Sequence, residues 1–211
     1  MKEERIFFKS GELDIEGLYA PSDGQKGVVI THPHPMMGGS MRNNVVFALV
    51  LAFYQNGFST LRFNFRGVGR SGGIYDDGIG EQEDVKGAMD FLTENGKKDI
   101  FLTGYSFGAW VNTRLIADQD FLSDIIMVSP PIDFLDFDFS GQKGKVGLVI
   151  CGDSDQFCPI DRLRGITEEI GCRLEIVGGA DHFYFGKEDV IAGYLDDYLG
   201  PKKKKGVKHF A

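Results

Sequence analysis

Cysteine is scarce, with only Cys151, Cys158 and Cys172 in the whole chain. An odd number without a CxxC spacing excludes a disulfide-stapled scaffold and a cysteine zinc site. A reduced, cytoplasmic protein is the economical expectation. No apolar run is long enough to cross a membrane. The first residues, Met1-Lys-Glu-Glu-Arg-Ile-Phe-Phe, carry charge where a signal peptide needs an apolar stretch. Basic residues are also in deficit, 23 against 31 acidic ones. Five of them, Lys202, Lys203, Lys204, Lys205 and Lys208, crowd into residues 201–211, which hold no acid. Residues 1–200 are therefore left with 18 basic side chains against the same 31 acids. An acidic body excludes nucleic acid as the main partner, because binding phosphate requires a basic face.

What is present suits one domain. A chain of 211 residues removes about 70–75% of its unfolded surface from water, so no metal or disulfide staple is required. Hydrophobic content of 42% and charged content of 26% are those of a chain that buries an ordinary core. Residues 1–200 are expected to form that domain. Hydrophobicity stops at Gly200-Pro201, and residues 201–211 are expected to be a solvated basic tail.

Along the chain, Arg5–Lys9 and Leu13–Tyr19 alternate apolar and polar residues about Ser10-Gly11-Glu12, which predicts a β-hairpin with one buried face. Gly27–Thr31 predicts a wholly buried strand, and His32–Gly39 a loop. A helix is predicted over 42–55, closed by Asn56-Gly57. A strand is expected over 59–65, then the glycine-rich loop Arg66–Gly73. Val85, Ala88, Met89 and Leu92 form the apolar stripe of the next helix.

Asp99–Gly104 then predicts a strand that runs into Gly104-Tyr105-Ser106-Phe107-Gly108 and a helix whose inward face is Trp110, Val111 and Leu115. Further strands are expected over 125–128, 146–151 and 173–177. Pro159 opens a helix to about Ile170, and the last helix carries Val190, Ile191, Tyr194, Leu195, Tyr198 and Leu199. Strand–helix alternation after a hairpin implies an α/β fold, a mostly parallel sheet of eight strands with helices on both faces. Ligands of such sheets bind at loops leaving the carboxyl ends of the strands.

Three residues fall in such loops in the order Ser106, Asp155, His182. A serine hydroxyl is a poor nucleophile until an imidazole takes its proton, and the imidazole needs a carboxylate to fix its tautomer. Asp153, in the same turn, and Asp133, after the 125–128 strand, compete for the acid's place. The bland reading of Ser106 is a helix N-cap, and that of His182 is a loop histidine.

Together, His32-Pro-His-Pro-Met-Met-Gly-Gly39, Arg62-Phe-Asn-Phe-Arg-Gly-Val-Gly-Arg-Ser-Gly72, Gly104–Gly108, Gly152-Asp-Ser-Asp155 and Asp181-His182 resemble the α/β-hydrolases. The similarity is to their small, lid-less bacterial members with a His-Pro-His-Pro loop, and it runs over nearly the whole chain. The resemblance implies Ser106 as nucleophile, His182 as acid/base, Asp155 as orienting acid, and no cofactor. Lid domains of this fold are commonly inserted where this chain has only residues 130–145, so an open site is expected. One departure is Asn64, where many relatives carry Asp.

An acyl transfer also requires donors for the tetrahedral oxyanion. The backbone N–H of Phe107 is the first expected donor, and the second should come from residues 32–39. Proline has no N–H, which removes Pro33 and Pro35. His34 is the expected backbone donor, with Met36 in reserve. His32 and His34 at i, i+2 point to opposite sides with no third ligand nearby, so no metal is expected. His32 is expected to pack and hydrogen-bond under the loop. Gly67-Val-Gly-Arg-Ser-Gly72 spells a dinucleotide fingerprint, but the helix N-terminus that would hold a pyrophosphate does not follow directly. Arg66 and Arg70 are instead placed at the rim of the site, and Cys158 has no base paired with it.

These residues point to a serine hydrolase acting on a small-molecule ester or thioester through an acyl-enzyme. An amidase or peptidase-like role, and a catalytically silent binding scaffold, are the alternatives. The phenylalanines of Phe134–Phe139 have two readings, an acyl pocket or an interface.

Overall fold

The computed structural model describes residues 1–115 and 122–200; the expected tail at 201–211 lies outside the described residues. Eight strands form one sheet, β1 (Glu4–Ser10), β2 (Leu13–Ala20), β3 (Lys26–Thr31), β4 (Ser59–Phe63), β5 (Asp99–Tyr105), β6 (Leu122–Val128), β7 (Val146–Gly152) and β8 (Arg173–Val177). Their order across the sheet is β1-β2-β4-β3-β5-β6-β7-β8. β1 pairs with β2, and β2 with β4, antiparallel; every other pairing is parallel. The helices are α1 (Asn44–Gln55), α2 (Gly80–Glu94), α3 (Phe107–Thr113), α4 (Ile160–Ile170) and α5 (Glu188–Leu199).

Two cores explain why the central strands are apolar without a break. Val28 and Ile30 of β3 pack with α1 and α5, whereas Val29 packs with α2 and α3 on the opposite face. β7 divides likewise, Leu148 and Ile150 to the first core and Val149 and Cys151 to the second. A strand buried on both faces has no reason to alternate. The expected stripe Val85, Ala88, Met89 and Leu92 is buried, as are Trp110, Val111 and Leu115.

Element ends differ from the sequence expectation for local reasons. α1 starts at Asn44 because Asn43 caps it, its Oδ1 accepting from the N–H groups of Val45 (2.9 Å) and Val46 (3.4 Å). β4 ends at Phe63: the next amide still reaches β2, but the one after it leaves the ladder for a side chain. Asn64 N–H donates to Glu16 O (2.9 Å), and Phe65 N–H to Nε2 of His32 (3.0 Å). Pro159 is the N-cap of α4, one residue ahead of the helix. Val190 is exposed, so the buried side of α5 is Ile191 and Leu195.

β3 leads across to β4 on one side, and β5 leads to β6 on the other. The sheet therefore reverses its winding between β3 and β5, the place where loops diverge and leave a crevice. The loops after β3, β5, β6, β7 and β8 all emerge at this edge. Residues 129–145 between β6 and β7 contain no helix or strand, so no lid domain is present.

Candidate active site

Ser106 stands at the tip of β5 with φ 56° and ψ −119°, a left-handed conformation that costs a non-glycine residue about 1–3 kcal/mol. Close packing on both sides enforces it. A Cβ on Gly104 would lie 2.5 Å from the amide nitrogen of Ala109, and one on Gly108 would lie 2.5 Å from Oγ1 of Thr31. The serine occupies the N-cap position of α3, yet its side chain makes no capping bond. Its hydroxyl donates instead to Nε2 of His182 at 2.9 Å.

The other face of His182 meets Asp155, with Nδ1 at 2.8 Å from Oδ2 and 3.0 Å from Oδ1. A carboxylate at Nδ1 keeps the proton there and leaves the Nε2 lone pair for the serine. Oδ1 of Asp155 also accepts from the Phe157 N–H at 2.9 Å. Burial pushes the Asp155 carboxyl up, but hydrogen bonding to His182 and its charge outweigh this and hold the group below the ordinary aspartate value. Tyr105 donates to the His182 carbonyl at 2.6 Å and fixes that loop from beneath.

The two competing acids lie elsewhere. Asp153 is exposed and accepts from Gly179 N–H at 2.9 Å, which makes it a bracket between the two loops. Asp133 is exposed and pairs with Arg162.

Beside Ser106, residues 35–37 form a single 3₁₀ turn. Met36 N–H donates to Nδ1 of His34, Met37 and Gly39 N–H to the His34 carbonyl, and Gly38 N–H to the Pro35 carbonyl. Met36 is therefore engaged and is removed as a reserve donor. Among the described residues, His34 carries the one N–H between 33 and 39 without a partner, and Phe107 N–H at the start of α3 is likewise unpaired. His34 and Phe107 touch, with ring centroids 4.8 Å apart.

His32 is buried, with Nδ1–H donating to Pro33 O at 2.6 Å and Nε2 accepting from Phe65. Both ring nitrogens are thus engaged within the protein. Burial lowers its pKa to about 4. Asn64 accepts from Met41 N–H (2.9 Å) and donates to buried Glu16 (3.0 Å). An aspartate here would set two carboxylates against each other, a physical reason for an asparagine at this position.

Arg66 and Arg70 do not line the cleft, contrary to expectation. Arg66 is turned to buried Asp84 (2.8 Å) and Ser10, where it braces the 66–79 loop against α2. The 67–72 loop folds on itself and onto β2, with Gly67 N–H bonded to Gly72 O and Gly72 N–H to Asp14 O. Phe134 and Leu135 line the cleft, whereas Phe137 and Phe139 stack on each other at 5.4 Å against the core.

Two cleft residues, and one that braces the cleft wall from behind, are not marked by the sequence motifs. Phe157 and Phe183 pack their rings against His182 at 4.8 and 5.8 Å, and adjacency to Asp155 and His182 in the chain would have signalled both. Tyr75, whose hydroxyl lies 3.2 Å from Nε2 of His34, has no local signal.

No family model matches the chain. It is 33% identical over 209 residues to an uncharacterised protein of Rickettsia prowazekii, spanning 92% of this chain and 88% of that one. Among solved structures, an α/β serine hydrolase homologue from Coxiella burnetii is 31% identical with a TM-score of 0.85, covering 94% of this chain and 98% of that one. An α/β serine hydrolase without a lid from Xanthomonas campestris is 29% identical with a TM-score of 0.79, covering 93% of each chain. With its sheet order and its lid-less 129–145 connection, the chain belongs to the α/β-hydrolase family.

Proposed function

We propose that this hydrolase-fold protein is a serine hydrolase that cleaves a carboxylic ester or thioester through an acyl-enzyme. The observation that carries the reading is the continuous hydrogen-bond chain Ser106–His182–Asp155, on a strained turn beside two unpaired amides. Ser106 Oγ attacks the carbonyl carbon while its proton passes to Nε2 of His182. Asp155 steadies the imidazolium through Nδ1–H. The tetrahedral oxyanion accepts hydrogen bonds from the amides of Phe107 and His34. His182 then returns its proton to the leaving oxygen or sulfur, and the acyl group stays on Ser106. A water molecule, deprotonated by the same Nε2, attacks the acyl-enzyme and releases the acid.

A fluorophosphonate probe tests this reading. Wild type is expected to be labelled and Ser106→Ala is not. Folded wild-type protein that resists the probe would point instead to a scaffold that uses the cleft for binding.

A further inference from the structure

Resting on the reading of Ser106 as nucleophile, we propose that the cleft selects uncharged acyl chains of medium length and rejects acyl chains that end in a carboxylate. The first observation is chemical. Among the described residues, no lysine, arginine, aspartate or glutamate lines the cleft; apart from His34, His182, Ser106, Tyr105 and Asn43, its walls are apolar side chains, glycine and proline. A carboxylate drawn into it would lose its hydration and meet no cation.

The second observation is size. The cleft holds about 350 Å³. At roughly 30 Å³ for each water-sized group, that is room for about a dozen non-hydrogen atoms. The ester group takes some of that space, which leaves about six to ten carbons for the chain.

The third is the gradient from floor to mouth. Leu135 and Phe157 are partly buried inside, and Phe134 meets Phe157 with ring centroids 5.9 Å apart. Phe134, Met37 and Phe183 keep 54, 68 and 47% of their surface in water, although each lines the cleft. A growing chain therefore covers Leu135 and Phe157 first and the three rim side chains last. Carbons beyond the rim emerge into water and gain nothing, because no lid closes over them.

The test is kcat/KM on p-nitrophenyl esters from acetate to dodecanoate, with the mono-p-nitrophenyl ester of suberic acid as the carboxylate-ended match of octanoate. The expected rise is about threefold per added methylene until the cleft fills, with a plateau between hexanoate and decanoate. The suberate ester should fall about tenfold below octanoate, because its carboxylate is partly stripped of water against the apolar rim with no cation in reach. Phe134→Ala should cut the octanoate-to-acetate ratio by about fivefold, since part of the rim contact is lost. A profile that peaks at acetate, or suberate cleaved as fast as octanoate, overturns the inference. Fluorophosphonate labelling of the same preparation separates the two readings. A labelled Ser106 with a flat profile removes only the chain selectivity. An unlabelled Ser106 with no ester cleaved removes the hydrolase reading and the selectivity with it.

Discussion

The Tyr75 hydroxyl lies 3.2 Å from Nε2 of His34, a residue from the loop after β4 gripping one from the loop after β3. Because Nδ1 of His34 accepts from Met36 N–H, the ring proton is on Nε2 and is donated to Tyr75. The imidazole is thereby locked at both ends, and it holds the backbone that carries the free His34 N–H, with its ring packed on that of Phe107. Tyr75 is a positioning residue in this scheme. Losing one oxyanion donor costs about 10²–10³ in kcat, and loosening one should cost less. Tyr75→Phe is expected to lower kcat about tenfold with KM little changed. His34→Asn, whose Oδ1 can cap the same turn, should keep more activity than His34→Ala. Equal losses in the two His34 variants would show that the ring's acceptor plays no part.

Asp155, rather than its neighbours, is bonded to His182. Asp155→Asn should lower kcat on a p-nitrophenyl ester by about 10³–10⁴, by analogy with other triads. Asp153→Asn and Asp133→Asn should stay near wild type, since their carboxylates bind Gly179 N–H and Arg162. Loss of activity in either of these with Asp155→Asn intact would reassign the acid.

Gly39 and Gly38 form a contrasting pair. A Cβ on Gly39 would lie 2.0 Å from the Pro33 carbonyl oxygen and 2.7 Å from that of His34, so Gly39→Ala must push the 33–34 backbone away. Gly38, at φ 79°, has nothing within 4 Å of its would-be Cβ. Its alanine variant should cost about 1 kcal/mol of backbone strain and leave the His34 amide in place. Thermal unfolding and kcat measured together should show Gly39→Ala losing at least about tenfold in rate, as for displaced catalytic groups, and Gly38→Ala only a small drop in Tm. The reverse order would place the strain elsewhere.

His32 predicts an acid limb of stability. Its pKa is lowered to about 4 by burial, against about 6.5 in an unfolded chain. Between those values the unfolded chain binds a proton that the folded one refuses, because Nε2 is held by the Phe65 N–H. Stability from this group is therefore complete above pH 6.5 and is lost as the pH falls toward 4. The loss between pH 7 and pH 5 should be about 2 kcal/mol. Urea unfolding of His32→Asn should lack that increment even though the variant starts less stable. Parallel pH dependence in wild type and variant would refute it.

Local chemistry wrote much of this protein into its sequence. The strand-to-helix turn at Gly104–Gly108 was legible, and the order Ser106, Asp155, His182 placed each residue at a strand's carboxyl end because a parallel sheet delivers every such end to one edge. Proline chemistry removed Pro33 and Pro35 as amide donors and left His34 the expected one, with Met36 in reserve. The choice among alternatives belonged to the tertiary structure. Asp155 and Asp153 differ by two positions in one turn, and only the fold shows that one carboxylate turns inward to His182 while the other faces Gly179. Met36 lost its candidacy to a side-chain bond from His34, and Arg66 left the rim for buried Asp84. Tyr75 joined the site across 41 residues of chain. Contacts of that kind depend on how two loops approach in space, which residue type and spacing do not encode.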